Sequence, residues 1–211
     1  MSRSTRNTYR HGDLRRALLD IGLALAREGG PQAVVLREAT RRAGVAPNAA
    51  YRYFANRKAL FDAVRGMALA EVARAMEREL QPAEALADPP ERARAMLAAI
   101  GRGYLGFAQR ETPLFLTEFF GSDVLATEWP ADARPVGRRG LDPFQLLGPA
   151  LDALVQAGVL PHERRPDAEY LAWSAVHGLA LLFMDGPLQD ADPAQREQLV
   201  ARLLRMVENG L

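Results

Sequence analysis

Residues 60–80 constrain this chain more than any other stretch. Leu60, Val64, Met67, Val72, Met76 and Leu80 recur at helical spacing, so one face stays apolar over about six turns. A rod of that kind needs partners along its length. The rest of the chain offers only helices: apolar residues keep helical spacing, Ala and Leu dominate, and the breaks carry Gly and Pro. The expected fold class is all-α, with about nine helices.

With 211 residues, 48% of them apolar, the chain can bury a real core. It has no cysteine, which excludes a disulfide framework and any thiolate metal site and makes the cytoplasm the expected location. The N-terminus imitates a secretory signal, with basic residues to Arg16, an apolar run and an A-x-A at residues 24–26. Asp20 interrupts that run, and Leu14, Leu18, Ile21 and Leu25 follow helical spacing, as a helix of the fold would. No apolar stretch reaches the roughly 18 residues of a membrane span.

Helices are expected at 13–27, stopped by Gly29-Gly30-Pro31, then at 36–43 and 47–54. The rod follows Asn56 and is ended by Pro82 and the Pro89-Pro90 pair. Others are expected at 91–110, 113–120, 142–157 with Gly158 as a left-handed cap, 166–184 and 193–209. Residues 121–143, with Pro130, Pro135, Pro143 and Trp129, read as a long loop.

Charge is segregated by sign. Residues 1–60 hold 12 Lys and Arg against 4 Asp and Glu, a net +8, whereas residues 61–211 hold 15 against 22, a net −7. A polyanion is the expected partner of the first segment. Two short helices joined at Gly44 fit a helix-turn-helix, because Ala39, Ala43, Val45, Ala50 and Tyr53 fall at inward positions and glycine accepts the positive φ of the turn. On the outer face Asn48 can pair with adenine and Arg52 with guanine, and Tyr51, Arg57 and Lys58 can meet phosphates, with Pro47 at the first helical turn. Arg37 and the arm carrying Arg3, Arg6 and Arg10 are further backbone or minor-groove candidates.

The stretch "AGVAPNAAYRYFANRKALF" resembles the DNA-binding signature of the tetracycline-repressor (TetR) family, roughly A-G-V-S-x-x-x-L-Y-x-H-F-x-x-K-x-x-L, through Ala43, Gly44, Val45, Tyr51, Phe54 and Leu60. Upstream, "HGDLRRALLD" is similar to a common family opening. Ala46 stands where the pattern has Ser, Ala50 where it has Leu, Tyr53 where it has His, and Arg57 where it has Lys; Thr40 occupies a position where the family prefers Ala. A missing Ser cap costs about 1 kcal/mol.

"YLAWSAVHGLALLFMDG" resembles the W-x-x-x-H-G signature of one class of TetR-like C-terminal domains, through Trp173, His177 and Gly178. Helical geometry puts Trp173, Val176, His177, Ala180 and Met184 on one side, and Leu171, Ser174, Ala175, Gly178, Leu182 and Asp185 on another. Both sides are largely apolar, so the helix is expected to pack its own domain and a twin. The expected homodimer interface holds Ser174, Ala175, Gly178 and Leu182, with Leu199 and Leu203 of the last helix. No metal site is expected, because His11 and His162 are the only other histidines and neither a His nor a carboxylate lies at i±3 or i±4 from His177. His177 reads first as a core histidine and second as a ligand contact.

The resemblance implies an effector cavity, with Met96, Tyr104, Phe107, Phe115, Phe119, Phe120, Trp173 and His177 as candidate walls. It implies residues 1–56 as a three-helix DNA-binding domain and 57–211 as a helical effector-binding and dimerisation domain. The expected function is a dimeric repressor, without cofactor, leaving a palindromic operator on binding a small, largely apolar effector. The alternatives are a DNA-binding regulator without a small-molecule effector and an all-α enzyme using His177.

Overall fold

The structure, a computed structural model, describes residues 11–119, 129 and 131–211. Among these residues the chain has nine α-helices and no strand. They are α1 (His11–Ala33), α2 (Leu36–Arg42), α3 (Pro47–Ala50), α4 (Arg57–Glu84), α5 (Pro89–Arg110), α6 (Thr112–Phe119), α7 (Leu147–Gln156), α8 (Ala168–Asp185) and α9 (Pro193–Gly210), with 3₁₀ turns η1 (Ala131–Ala133) and η2 (His162–Arg164). The Arg3, Arg6 and Arg10 arm lies outside the described residues.

Local chemistry accounts for most boundaries. Asn56, Asp88 and Asp192 cap α4, α5 and α9 by accepting from the backbone N–H three residues on, at 2.8–2.9 Å. Two helices close in the same way. At the end of α2 the Val45 N–H donates to the Thr40 carbonyl and the Gly44 N–H to Arg41; after α7, Val159 donates to Leu154 and Gly158 to Val155. Both are Schellman closures, with Gly44 at φ 68° and Gly158 at φ 69°. In α1 the expected break falls at Gly29 and Gly30, where the backbone leaves the helix and re-enters at Pro31.

Three boundaries depart from expectation. The rod passes Pro82 and ends at Glu84, since so near the C-terminus a proline forfeits little more than one backbone bond. The helix expected from 142 begins regularly only at Leu147, although Asp142 and Gln145 exchange backbone–side-chain bonds of 2.7 and 3.0 Å that start its first turn. Regular helix in α3 stops at Ala50, whose carbonyl takes the N–H of both Tyr53 and Phe54 at 2.9 Å. That doubled bond tightens the turn and drives Phe54, 2% exposed, into the core.

The rod is also not one-faced. Beyond the predicted stripe, α4 buries Ala63, Ala68, Ala70, Ala73, Ala75 and Gly66, because α1, α5, α6 and η1 surround it. Small residues permit this. A Cβ on Gly103 of α5 would fall 2.6 Å from Met76 Cα, and one on Gly66 would meet the Ala133 carbonyl and the Trp129 ring. The α1 positions Leu14, Leu18 and Leu25 are buried in the same core.

Candidate nucleic-acid interface and effector site

The α2–α3 unit is held from within. Ala39 and Ala50 are fully buried, and Ala43, Val45 and Tyr53 pack half-buried beside them. Thr40 is buried too, and its hydroxyl bonds back to the Arg37 carbonyl at 2.9 Å. Ala46 has the extended backbone of an N-cap residue but no side chain to accept a bond. Outward from this unit stand Arg37, Pro47, Asn48, Tyr51 and Arg52, all exposed, Tyr51 by 57%.

Several of the basic residues of the first 60 are paired within the protein. Arg41 and Arg42 converge on Glu38, Arg42 reaches Glu28, Arg16 pairs with Asp20, and Lys58 pairs with Asp62 at 2.7 Å. Hydrogen bonds from Arg41 and Arg42 hold the Glu38 carboxyl down at about 2. Arg57 donates to the carbonyls of Val34 (3.0 Å) and Pro31 (3.3 Å), stapling the start of α4 to the α1–α2 connection. Its guanidinium is thus already engaged, unlike those of Arg37 and Arg52, which have no ion pair among the described residues.

In the C-terminal part, a cavity of about 20 Å³ lies between α4, α5, α7, α8 and α9, walled by Met76, Leu97, Ile100, Gly101, Tyr104, Leu147, Ala172, Trp173, Val176, Leu204 and Val207. Arg94 and Glu208 also line it and pair at 2.9 Å. Of the expected wall residues only Tyr104 and Trp173 line this cavity. Phe107 and Phe115 are buried in the core, and Met96 is half-buried away from the lining. The Phe119 side chain and Phe120 lie outside the described residues. His177 stands behind the wall: its Nδ1 is 2.9 Å from the Tyr104 hydroxyl, its ring stacks on Trp173 at 6.3 Å, and burial pushes its pKa down. Among the described residues no group of His and carboxylates could hold a metal ion.

Residues 18–64 match the tetR family of bacterial regulatory proteins, and residues 97–207 match the tetracyclin repressor-like C-terminal domain. The chain belongs to the TetR family. It is thereby a DNA-binding transcriptional regulator with a helix-turn-helix and a helical C-terminal domain. Solved structures resemble it over nearly their full length. A protein of unknown function from Rhodococcus sp. RHA1 is 26% identical with a TM-score of 0.73, covering 98% of this chain and 99% of that one. The FadR regulator of Bacillus subtilis, solved in complex with stearoyl-CoA, is 14% identical with a TM-score of 0.63, over 93% of this chain and 98% of that one. PfmR from Thermus thermophilus, a TetR family regulator, is 20% identical with a TM-score of 0.56, over 92% and 98%. No curated protein matches the chain in sequence. No described helix is long and apolar enough to cross a membrane.

Sequence reasoning missed two long-range links in this TetR chain, one of them between the helix-turn-helix part and the C-terminal part. Arg15 of α1 lays its guanidinium 4.8 Å from the centre of the Phe54 ring and pairs at 2.7 Å with Asp132 of η1. Arg65, 4% exposed, donates to the Glu118 carbonyl at 3.2 Å and lies 5.7 Å from the Trp129 ring. Neither link has a local signature, since Arg15 and Asp132 are 117 positions apart and Arg65 and Glu118 are 53 apart. Glu118 itself escaped notice. It is fully buried, neither carboxyl oxygen has a hydrogen-bond partner among the described residues, and burial pushes its pKa well above the carboxylate range. Burial, with repulsion from Glu118 second, likewise raises Tyr104.

Proposed function

We propose that this TetR family member is a homodimeric repressor that leaves a palindromic operator when a small, largely apolar effector binds. The observation that carries the reading is the exposed row Arg37, Asn48, Tyr51 and Arg52 on a helix-turn-helix closed by a Schellman turn at Gly44. Asn48 and Arg52 read bases; Pro47, Tyr51, Lys58 and Arg37 lie along the backbone. Arg57 contributes mainly by stapling α4 to the DNA-binding unit, residues 1–56, with whatever donor capacity remains directed to phosphate.

Dimerisation is supported by an apolar face on α8 that the single chain leaves uncovered. Tyr170, Leu171, Leu181 and Leu182 are 41–60% exposed there, beside exposed Ser174 and Gly178 and half-buried Ala175. A Cβ on Gly178 would meet nothing within 4 Å, so a second α8 can approach closely. Half-buried Leu199 and Leu203 with Met206, 59% exposed, extend the face along α9. The twofold axis then sets half-sites about 34–36 Å apart or a multiple of that.

Effector action is a shift between two states of residues 57–211. A 20 Å³ cavity holds about one water, so an effector must part α5 from α8 and α9, and α4 with η1 carries the change to α1 through Asp132 and Arg15. Tenfold release needs about 1.4 kcal/mol of differential binding. The small cavity is also what favours the second reading, a regulator controlled by a protein partner or by its own concentration. Among the described residues no catalytic constellation favours the enzyme reading.

The test is retention of a random DNA pool on the purified protein at near-physiological salt, followed by sequencing. An enriched inverted repeat is expected. Retention without any shared sequence, or a single unrepeated half-site, contradicts the dimeric operator reading.

A further inference from the structure

The least explained group in the molecule is the Glu118 carboxyl. A buried carboxyl without partners destabilises the fold, whereas an apolar side chain of similar volume would fill the space without that cost. Among the described residues neither oxygen finds a donor; Arg65 gives its Nε to the Glu118 main-chain carbonyl, has Nη1 3.7 Å from Asp62, and keeps a buried Nη2 that makes no hydrogen bond to the carboxyl or to any other described group. Buried polar groups in native proteins are satisfied. No described residue supplies that partner in this conformation, and a bound molecule is a source that would.

Its position says where. Phe115 and Glu118 are i,i+3 neighbours on α6 and share a face. That face abuts the effector site, for the Phe115 ring is edge-on to Tyr104 at 5.3 Å and 6.3 Å from the His177 ring. Tyr104 in turn packs 4.9 Å from Trp173 in the cavity wall. An acceptor with two open oxygens thus stands behind a cluster of aromatic rings, whose faces attract cations. Hydrocarbon walls, aromatic faces and an unpaired carboxyl together select an amphiphile of one polarity.

We propose that Glu118 anchors the head group of the effector, and that the effector has an apolar body and a cationic, hydrogen-bond-donating head such as a primary ammonium. This rests on the effector-responsive reading above and narrows it. Entry of the ammonium head releases the Glu118 proton to solvent, gives each oxygen of the resulting carboxylate a donor and places the charge beside Tyr104 and Phe115, while the tail occupies the space opened between α5, α8 and α9.

Three probes with the same tail separate the terms: decylammonium, decanol and decanoate, each below its micelle concentration. Binding to the full-length protein is read by the fluorescence of its tryptophans, one of which, Trp173, lines the cavity, and release is read on the selected operator. Decylammonium is expected to bind at least about tenfold more tightly than decanol, the worth of a hydrogen bond to a charged group, with decanoate weakest. Glu118→Gln and Glu118→Met should both shrink the ammonium preference to less than about threefold while leaving decanol binding in place. A merely structural Glu118 would instead leave the preference among head groups unchanged in both variants, and that result overturns the proposal. Equal binding of all three probes, or a preference for decanoate, also overturns it but leaves an apolar effector site standing. If none binds, the effector-responsive reading falls with it.

Discussion

Gly44→Ala tests whether the helix-turn-helix depends on the backbone of its turn. Gly44 sits at φ 68° and a Cβ there would meet nothing within 4 Å, so the substitution introduces strain without any clash. A left-handed alanine costs about 1–2 kcal/mol, offset by about 0.5 kcal/mol because alanine also restricts the unfolded chain. The net loss is about 1 kcal/mol, read as a shift of about 3 °C in Tm for a chain of this size. Gly44→Asn should cost less, since asparagine tolerates this conformation. Gly103→Ala is the contrast: its Cβ would lie 2.6 Å from Met76 Cα and 3.0 Å from the Ala75 carbonyl, backbone that cannot step aside, and overpacking of that kind costs about 1–3 kcal/mol or more. Urea unfolding of the three variants should therefore rank Gly103→Ala as most damaging and Gly44→Asn as least. A Gly44→Ala protein as stable as the wild type would refute the argument from the turn.

Two further substitutions probe the recognition helix and the buried acid. Ala46→Ser supplies the side-chain cap that α3 lacks and should add about 1 kcal/mol of stability, which raises the urea midpoint while operator affinity at fixed salt stays nearly the same, since the cap forms in free and bound protein alike; an unchanged midpoint would mean that the start of α3 is satisfied by solvent. For Glu118 the folded chain holds the proton more tightly than the unfolded chain, whose carboxyl titrates near its ordinary 4.5. The resulting stability is complete below that pH and lost as pH rises toward the raised folded value. The stability of wild type relative to Glu118→Gln should accordingly fall as pH increases above about 4.5, measured by paired urea titrations; a difference that is flat or rises with pH contradicts a buried, unpaired acid.

The fold was legible because helix chemistry is local. Caps at Asn56, left-handed glycines at Gly44 and Gly158, and the break at Gly29-Gly30 depend on residues within one turn, and all four fall where the spacing of residue types places them. The helix-turn-helix was legible for the same reason. Its shortened second helix was not, because the tightening at Ala50 serves the burial of Phe54 against α1, a contact nearly 40 positions away. The cavity was half legible: Tyr104 and Trp173 stand out as aromatic residues, while Gly101, Ala172 and Leu204 are ordinary core residues until three helices converge on them.

Sequence alone therefore determined the helices, the turn, and which residues of the first segment are basic. Tertiary structure decided which of those cations are paired among the described residues, that Arg57 staples instead of standing free, and that Glu118 is buried with no hydrogen-bond partner among the described residues. Propensity and capping act over a few residues and can be read along the chain. Pairing and burial of charge depend on what arrives from distant segments, and only the packed core specifies that.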